Sequence, residues 1–348
     1  MPGVKRGKLV TRNRGLNSAV RSMRRMLALV VVAVASLAAT GATGQSSAAP
    51  FSPNDAFYSV ASLPSGRWFV AGASGVFLTS DDNGKTWTRM QLAKVYPFSW
   101  RDMFSVRFAP DGVNGWISGE QGLILRTTDS GKTWQKQGSG VTDNIYRIAP
   151  VDAQNAVAAG VSGTLLYTHD GGQSWQQAKQ KNGFAFFDAA VTDPSNAWAV
   201  GEFQTILHST DGGKTWTVLR GNKRINFRQP AYFTVHFRDN LHGWLTGQGA
   251  TILVTSDGGK TWQPFASPTK SSMFATSFTD ARVWMVGDDG VLLNASLDGN
   301  GGAVSEQPTF AVLNDVAFAG QTGIAVGFSG TLLKTDDGGV HWQKVSPE

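Results

Sequence analysis

Four Gly-Lys-Thr triplets, starting at Gly84, Gly131, Gly213 and Gly259, are the first strings in this chain that suggest chemistry. They mimic the end of a phosphate-binding loop, whose glycine amides and lysine hold phosphate oxygens. That loop needs another glycine upstream and a helix afterwards. Here Thr79, Arg126, His208 and Val254 occupy the upstream position, and a tryptophan-led strand pattern follows each triplet. Gly-x-Ser-Gly at Gly72, Gly160 and Gly327 also leads into a strand pattern, whereas a nucleophile elbow leads into a helix. The five histidines (His169, His208, His236, His242, His341) are scattered, with no pair at ligand spacing, and there is no cysteine. No metal or cofactor is expected. Glu120, Glu202 and Asp288 each follow a glycine that ends a strand, and could form the carboxylate pair of glycoside hydrolysis.

The elements that must position these residues are repeats. Beyond residue 55 one unit recurs: an apolar strand A, a strand B ending in glycine, a glycine turn, a strand C, then an acidic-glycine box and tryptophan. The boxes run Ser80–Trp87, Thr127–Trp134, Thr168–Trp175, Ser209–Trp216 and Thr255–Trp262. A looser copy at Thr335–Trp342 has His341 for Ser/Thr, and a decayed one at Ser296–Asn300 lacks the tryptophan. Their aspartates are Asp82, Asp129, Asp170, Asp211, Asp257, Asp298 and Asp337, and the strand-B glycines are Gly72, Gly119, Gly160, Gly201, Gly247, Gly287 and Gly327. The pattern S/T-x-D-x-G-x-S/T-W is the Asp box of the bacterial neuraminidase repeat. Asp closes the turn on backbone amides, Gly takes a conformation other residues resist, and Trp buries a large ring. Repetition in every unit marks these aspartates as turn structure rather than catalysts.

Units of about 40 residues with four strands predict an all-β, seven-bladed β-propeller, residues 50–348, with Asp boxes between strands C and D. A solenoid would need polar end caps, which are not visible. The blades are sequential, with no strand exchange expected to close the ring.

The net charge of +6 suggests nucleic acid, but its source is the leader. Residues 1–49 hold Lys5, Arg6, Lys8, Arg12, Arg14, Arg21, Arg24 and Arg25 and no acid. Without them the balance turns slightly acidic, so no nucleic-acid partner is expected. A basic stretch, the apolar run Met26–Ala39 and then small residues lay out a secretory signal peptide, cleaved after Gly44 or near Ala48. An uncleaved anchor is the alternative, and a start at Met23 would give a signal of ordinary length. The run is short of the roughly 20 residues that span a bilayer. After cleavage the chain is expected not to cross a membrane, and to reside in the periplasm, a thylakoid lumen or outside the cell.

In a propeller, D–A and B–C connections share one face, and the Asp boxes lie on the other. The D–A segments Val95–Asp102, Lys179–Phe187 and Arg220–Tyr232 interleave aromatics with Arg and Lys, as protein-binding hot spots do. Trp100, Arg101, Arg224, Phe227, Arg228 and Tyr232 are the candidate partner-binding residues there. Counting back from the strand-B glycines puts Arg107, Arg147 and His236 at one equivalent position near the channel, opposite Ser62, Ala190, Ser277 and Ala317. Arg107 and Arg147 join the candidate set. The alternative is that each is locally paired between blades.

The string FxVxFxDxxxGWxxGxxGxILxTxDGGKTW, fullest across Phe233–Trp262 and Phe104–Trp134, resembles the photosystem II stability/assembly factor family of exported seven-bladed propellers. The resemblance spans residues 56–345. It implies a non-enzymatic, chaperone-like factor that binds a membrane complex or its assembly intermediate through a protein partner. In oxygenic phototrophs such factors are lumenal and use an arginine-rich patch. Two further readings stay open. A glycosidase would need, for sialidase chemistry, an arginine triad and a Tyr–Glu pair, and the chain has only four glutamates and no Arg-Ile-Pro signature. Xyloglucan-cleaving relatives resemble two propellers facing each other, and this chain has residues for one. The last reading is a non-catalytic carbohydrate- or cell-surface-binding propeller.

Overall fold

Runs rich in Phe, Val, Ile and Leu, separated by glycine turns, favour short strands. In the computed structural model, which describes residues 49–92, 100–178, 183–221 and 228–347, they form seven four-stranded antiparallel sheets. Each sheet uses four strands consecutive in sequence, so the architecture is a seven-bladed propeller of sequential blades. The A strands are Phe57–Ser62, Met103–Phe108, Ile145–Pro150, Phe186–Val191, Tyr232–Phe237, Met273–Phe278 and Leu313–Ala319. Successive A strands touch, including the last against the first. Burial falls outward: strand B of blade two, Gly115–Gly119, is wholly buried, while strand D of blade four, Thr217–Arg220, is wholly exposed. No helix among the described residues is long and apolar enough to cross a membrane.

The hydrophobic core is divided among the seven junctions. Trp134 of blade two buries itself with Phe69, Phe77 and Leu92 of blade one. The same arrangement recurs with Trp175 on blade two, Trp216 on blade three, Trp262 on blade four and Trp342 on blade six. Blade six lost its box tryptophan, and Leu297, Trp244 and Phe265 fill that junction. The ring closes where Trp87 of blade one meets Ile324, Val326 and Leu332 of blade seven. Gly330 N–H also donates to Asp55 O at 2.7 Å across that seam.

The Asp box sets the tryptophan. Asp129 accepts from Thr127 Oγ1, Thr133 N–H and Thr133 Oγ1, at 2.7, 2.9 and 2.6 Å. Gly131, at φ +75°, brings the turn so close to blade one that a Cβ would lie 2.5 Å from Phe69; at Gly84 it would lie 2.6 Å from Ile324. Glycine is therefore required twice, by conformation and by the neighbouring blade. Slight burial opposes ionisation of Asp82 and Asp129, yet the hydroxyl and amide donors hold both carboxyls down at about 2. The same donors, Ser174 first at Asp170, Thr261 at Asp257 and Ser296 at Asp298, hold these also at about 2.

The two faces follow from the turn contacts. B–C turns donate to the D–A segment of the next blade, as in Gly75 to Arg101 O, Gly122 to Asp143 O and Gly163 to Phe184 O. Box turns instead meet the A–B turn of their own blade, as in Asn83 to Gly66 O and Ser130 to Val113 O.

Two predictions follow from the junctions and boxes. Trp87→Ala should lower the unfolding free energy by about 3–5 kcal/mol in urea titrations, because a large ring leaves a closed seam. Depressed carboxyls stabilise the fold above the ordinary carboxylate range, and that contribution disappears as pH falls through the folded-state values. The melting temperature should therefore drop between about pH 4 and about pH 2, and Asp129→Asn should remove part of that slope. A flat acid profile would contradict the box account.

Candidate functional site

The channel is built by residues of the A strands, and one irregularity decides which of them reach it. At the end of strand B a Cβ on Gly119 would stand 2.2 Å from Asp102 O, and one on Gly201 would stand 2.0 Å from Ala185 O. Only glycine lets the chain entering strand A come that close. Its neighbour then has no partner: the register slips between Met103 and Ser105, and likewise between Phe186 and Asp188. The bulged residue is aromatic in six blades: Tyr58, Phe104, Tyr146, Phe187, Phe233 and Phe274.

These six rings form one arc on the D–A side of the channel. Neighbouring centroids lie 5.7, 5.4, 5.9, 5.8 and 5.2 Å apart from Tyr58 round to Phe274. In blade seven the position is Asn314, which donates to Phe57 O, and Phe328 leans edge-on against Tyr58 at 6.3 Å. The sequence reading missed this arc. Its signal was legible: strand A opens with an apolar residue, then an aromatic, in six of the seven blades, as FYSV, MFSV, IYRI, FFDA, YFTV and MFAT.

One layer deeper lies a buried charge network. Asp188 accepts from Arg147 Nε at 2.6 Å, from Thr234 Oγ1 at 2.6 Å and from Val235 N–H at 3.0 Å, joining blades three, four and five. Asp315 accepts from Ser59 Oγ and Val60 N–H of blade one and from Arg107 Nη2 of blade two at 2.9 Å. Arg147 Nη1 stands 3.9 Å from the same carboxylate. Burial alone would lower the basicity of Arg147, but Asp188 and Asp315 outweigh it and hold the guanidinium more basic than usual. Each cation has a carboxylate, which is the condition for keeping charge inside a protein.

The register corrects the expected equivalence. Arg107 lies opposite Trp116 and His236 opposite Trp244, but Arg147 lies opposite Ala159, at the level of Asp188 and Asp315. Ala149 and Ala61, not Arg147 and Ser62, match Arg107, because the A–B turns differ in length between blades. These A-strand ends line a cavity of about 530 Å³ that opens between the A–B turns, through Leu63, Pro64, Pro110 and Pro150. His236 reaches this cavity with Nδ1 3.0 Å from Thr276 O, so that nitrogen carries the proton. Surrounding protein holds its basicity below the usual range. Arg107 and Arg147 thus sit within the channel, locally paired, toward the face opposite the D–A loops.

The remaining expected residues separate. Trp100 is 61 % exposed, with the Arg101 guanidinium 5.8 Å from its ring, and Arg228 is exposed. Tyr232 is a correction: it is 1 % exposed, packed with Val200, Ile206 and Leu245, and offers no docking surface. Arg224 and Phe227 lie outside the described residues. Glu120 accepts Asp102 N–H at 3.2 Å and Glu202 accepts Ala185 N–H at 2.9 Å. Asp288 is buried in the B–C turn of blade six. Among the described residues no group of three or more His, Asp or Glu is placed to hold a metal ion.

Against known proteins, the family model described as photosynthesis system II assembly factor YCF48 matches residues 51–140, 99–182 and 223–302, together more than half of the chain. The chain belongs to that family. A BNR/Asp-box repeat model also matches residues 207–218, within blade four. No curated protein matches this chain in sequence. Among solved structures, YCF48 from Cyanidioschyzon merolae is similar at 18 % identity and TM-score 0.66, covering 81 % of this chain and 96 % of that one. A YCF48 bound to D1 peptide is similar at 20 % identity and TM-score 0.65, covering 81 % and 93 %. The GH74 enzyme of Niastella koreensis reaches TM-score 0.66 at 13 % identity, covering 84 % of this chain and 54 % of that one. Equal scores for factors and an enzyme show a shared fold; the family rests on the sequence model.

The buried network yields a prediction. Asp188→Ala should cost about 3–5 kcal/mol in urea unfolding by stranding Arg147, and Arg147→Met combined with Asp188→Leu should recover most of it. Equal losses in the single and double variants would argue against an ion pair.

Proposed function

We propose that this chain is a non-enzymatic binding factor that docks through its D–A face on a protein partner, a membrane complex or its assembly intermediate. The observation that carries the reading is where the exposed aromatics stand. Trp100, 61 % exposed, and Phe310, 83 % exposed, both lie on D–A segments, and the aromatic arc opens on the same side. Exposed aromatics on loops held by a rigid ring are typical protein-binding anchors. Membership of an assembly-factor family supports the reading, as does a similar structure that holds a D1 peptide. Glu120 and Glu202, the carboxylates considered for glycoside hydrolysis, are engaged with backbone amides that fasten the D–A segments to the B–C turns. The basic leader and its apolar run support export, with the propeller acting in a periplasm or thylakoid lumen.

The test is recovery of the crosslinked partner from detergent-solubilised membranes of the native organism. Trp100→Ser with Phe310→Ser, and separately Arg228→Glu, should reduce recovery about tenfold or more while the melting temperature stays unchanged. Undiminished recovery would reject the face, and turnover of xyloglucan by the wild-type chain would reject the non-enzymatic reading.

A further inference from the structure

The aromatic arc carries more than apolar surface. One carboxylate touches it, and two more lie close enough to act on its phenols. Asp102 accepts the Tyr58 hydroxyl at 3.2 Å and Ser74 N–H at 2.9 Å. Glu120 meets the backbone of that same Asp102. Glu202 meets Ala185 N–H, two residues before Phe187 of the arc. Burial first, and then these neighbouring charges, suppress ionisation of the phenols: Tyr58 is shifted upward by Asp102 and Glu120, and Tyr146 reaches about 12 beside Glu202.

Ring faces carry negative potential, and carboxylates beside them add to it. Among the described residues, the cations one layer below, Arg107 and Arg147, are committed to Asp315 and Asp188. Arg101 lies close enough to Glu120 to interact with it, at the edge of the group. An anionic segment would be repelled from this mouth, and an aliphatic one would strand the carboxylates.

We propose that the D–A mouth of the channel takes a cationic side chain, arginine or lysine, from an extended segment of the protein partner, seated on the Tyr58–Phe274 arc between Asp102, Glu120 and Glu202. This assignment rests on the docking reading and names the chemistry of what docks. The rings supply cation–π contact and the carboxylates supply charge.

The probes are short acetylated Gly/Ser peptides with arginine, lysine, citrulline or glutamate at the centre, titrated against the full chain by fluorescence anisotropy. The arginine and lysine peptides should bind saturably, with citrulline and glutamate weaker by about tenfold or more. Glu202→Gln and Glu120→Gln should each weaken the arginine peptide by several-fold and flatten its salt dependence. Their melting temperatures should hold, because the amide oxygen still accepts the backbone N–H. Phe187→Ala should weaken all cationic peptides. Equal binding of arginine and citrulline, no binding at all, indifference to both Gln variants, or preferential binding of a xyloglucan oligosaccharide would overturn the proposal. Partner recovery separates the two ideas. Loss with Trp100→Ser/Phe310→Ser but no cationic preference leaves docking standing and the mouth refuted. A cationic preference with recovery indifferent to those serines refutes the docking reading alone.

Discussion

A four-stranded blade has two broad faces and no interior, so it cannot bury its apolar side chains alone. Every large hydrophobic cluster here straddles two blades, and each draws its central tryptophan or substitute from one blade and its socket from the next. The blades therefore stabilise one another in series, and only closure removes the last pair of exposed faces. Blade six shows how much tolerance the arrangement has. Its box lost the tryptophan, and Phe265 and Leu297 close the junction with different shapes.

The glycine at the end of strand B links this architecture to the channel. Its missing side chain admits a carbonyl within 2.4 Å of where a Cβ would be, and the displaced residue becomes the bulge that faces its counterparts on neighbouring blades. A structural residue in the sheet thus determines where a functional surface can form. The two ends of the channel differ as a result. One is an aromatic mouth among carboxylates, and the other is a cavity whose arginines are already paired.

Much of this was legible from residues alone. Seven boxes and seven strand-B glycines announce blade number and strand order, and the face assignment follows from which strands each turn joins. Register within strand A was not legible. A–B turns of unequal length defeat counting back from the glycine, which is why Arg147 was placed level with Arg107 although it pairs with Ala159. Asp188 and Asp315 were readable as single acids inside apolar strands, but their partners come from other blades and only closure brings them together. Tyr232 looked like a loop anchor because aromatic and basic residues precede it; in the fold it begins strand A and belongs to the interior.

The seam between the last blade and the first has no backbone connection across it; side-chain packing around Trp87, hydrogen bonds and the Asp315 carboxylate hold it. Force pulling the first and last blades apart would load that contact by itself. The circle would part there like a split washer, each sheet keeping its own ladder, so mechanical weakness and the covalent break in the chain coincide at one place.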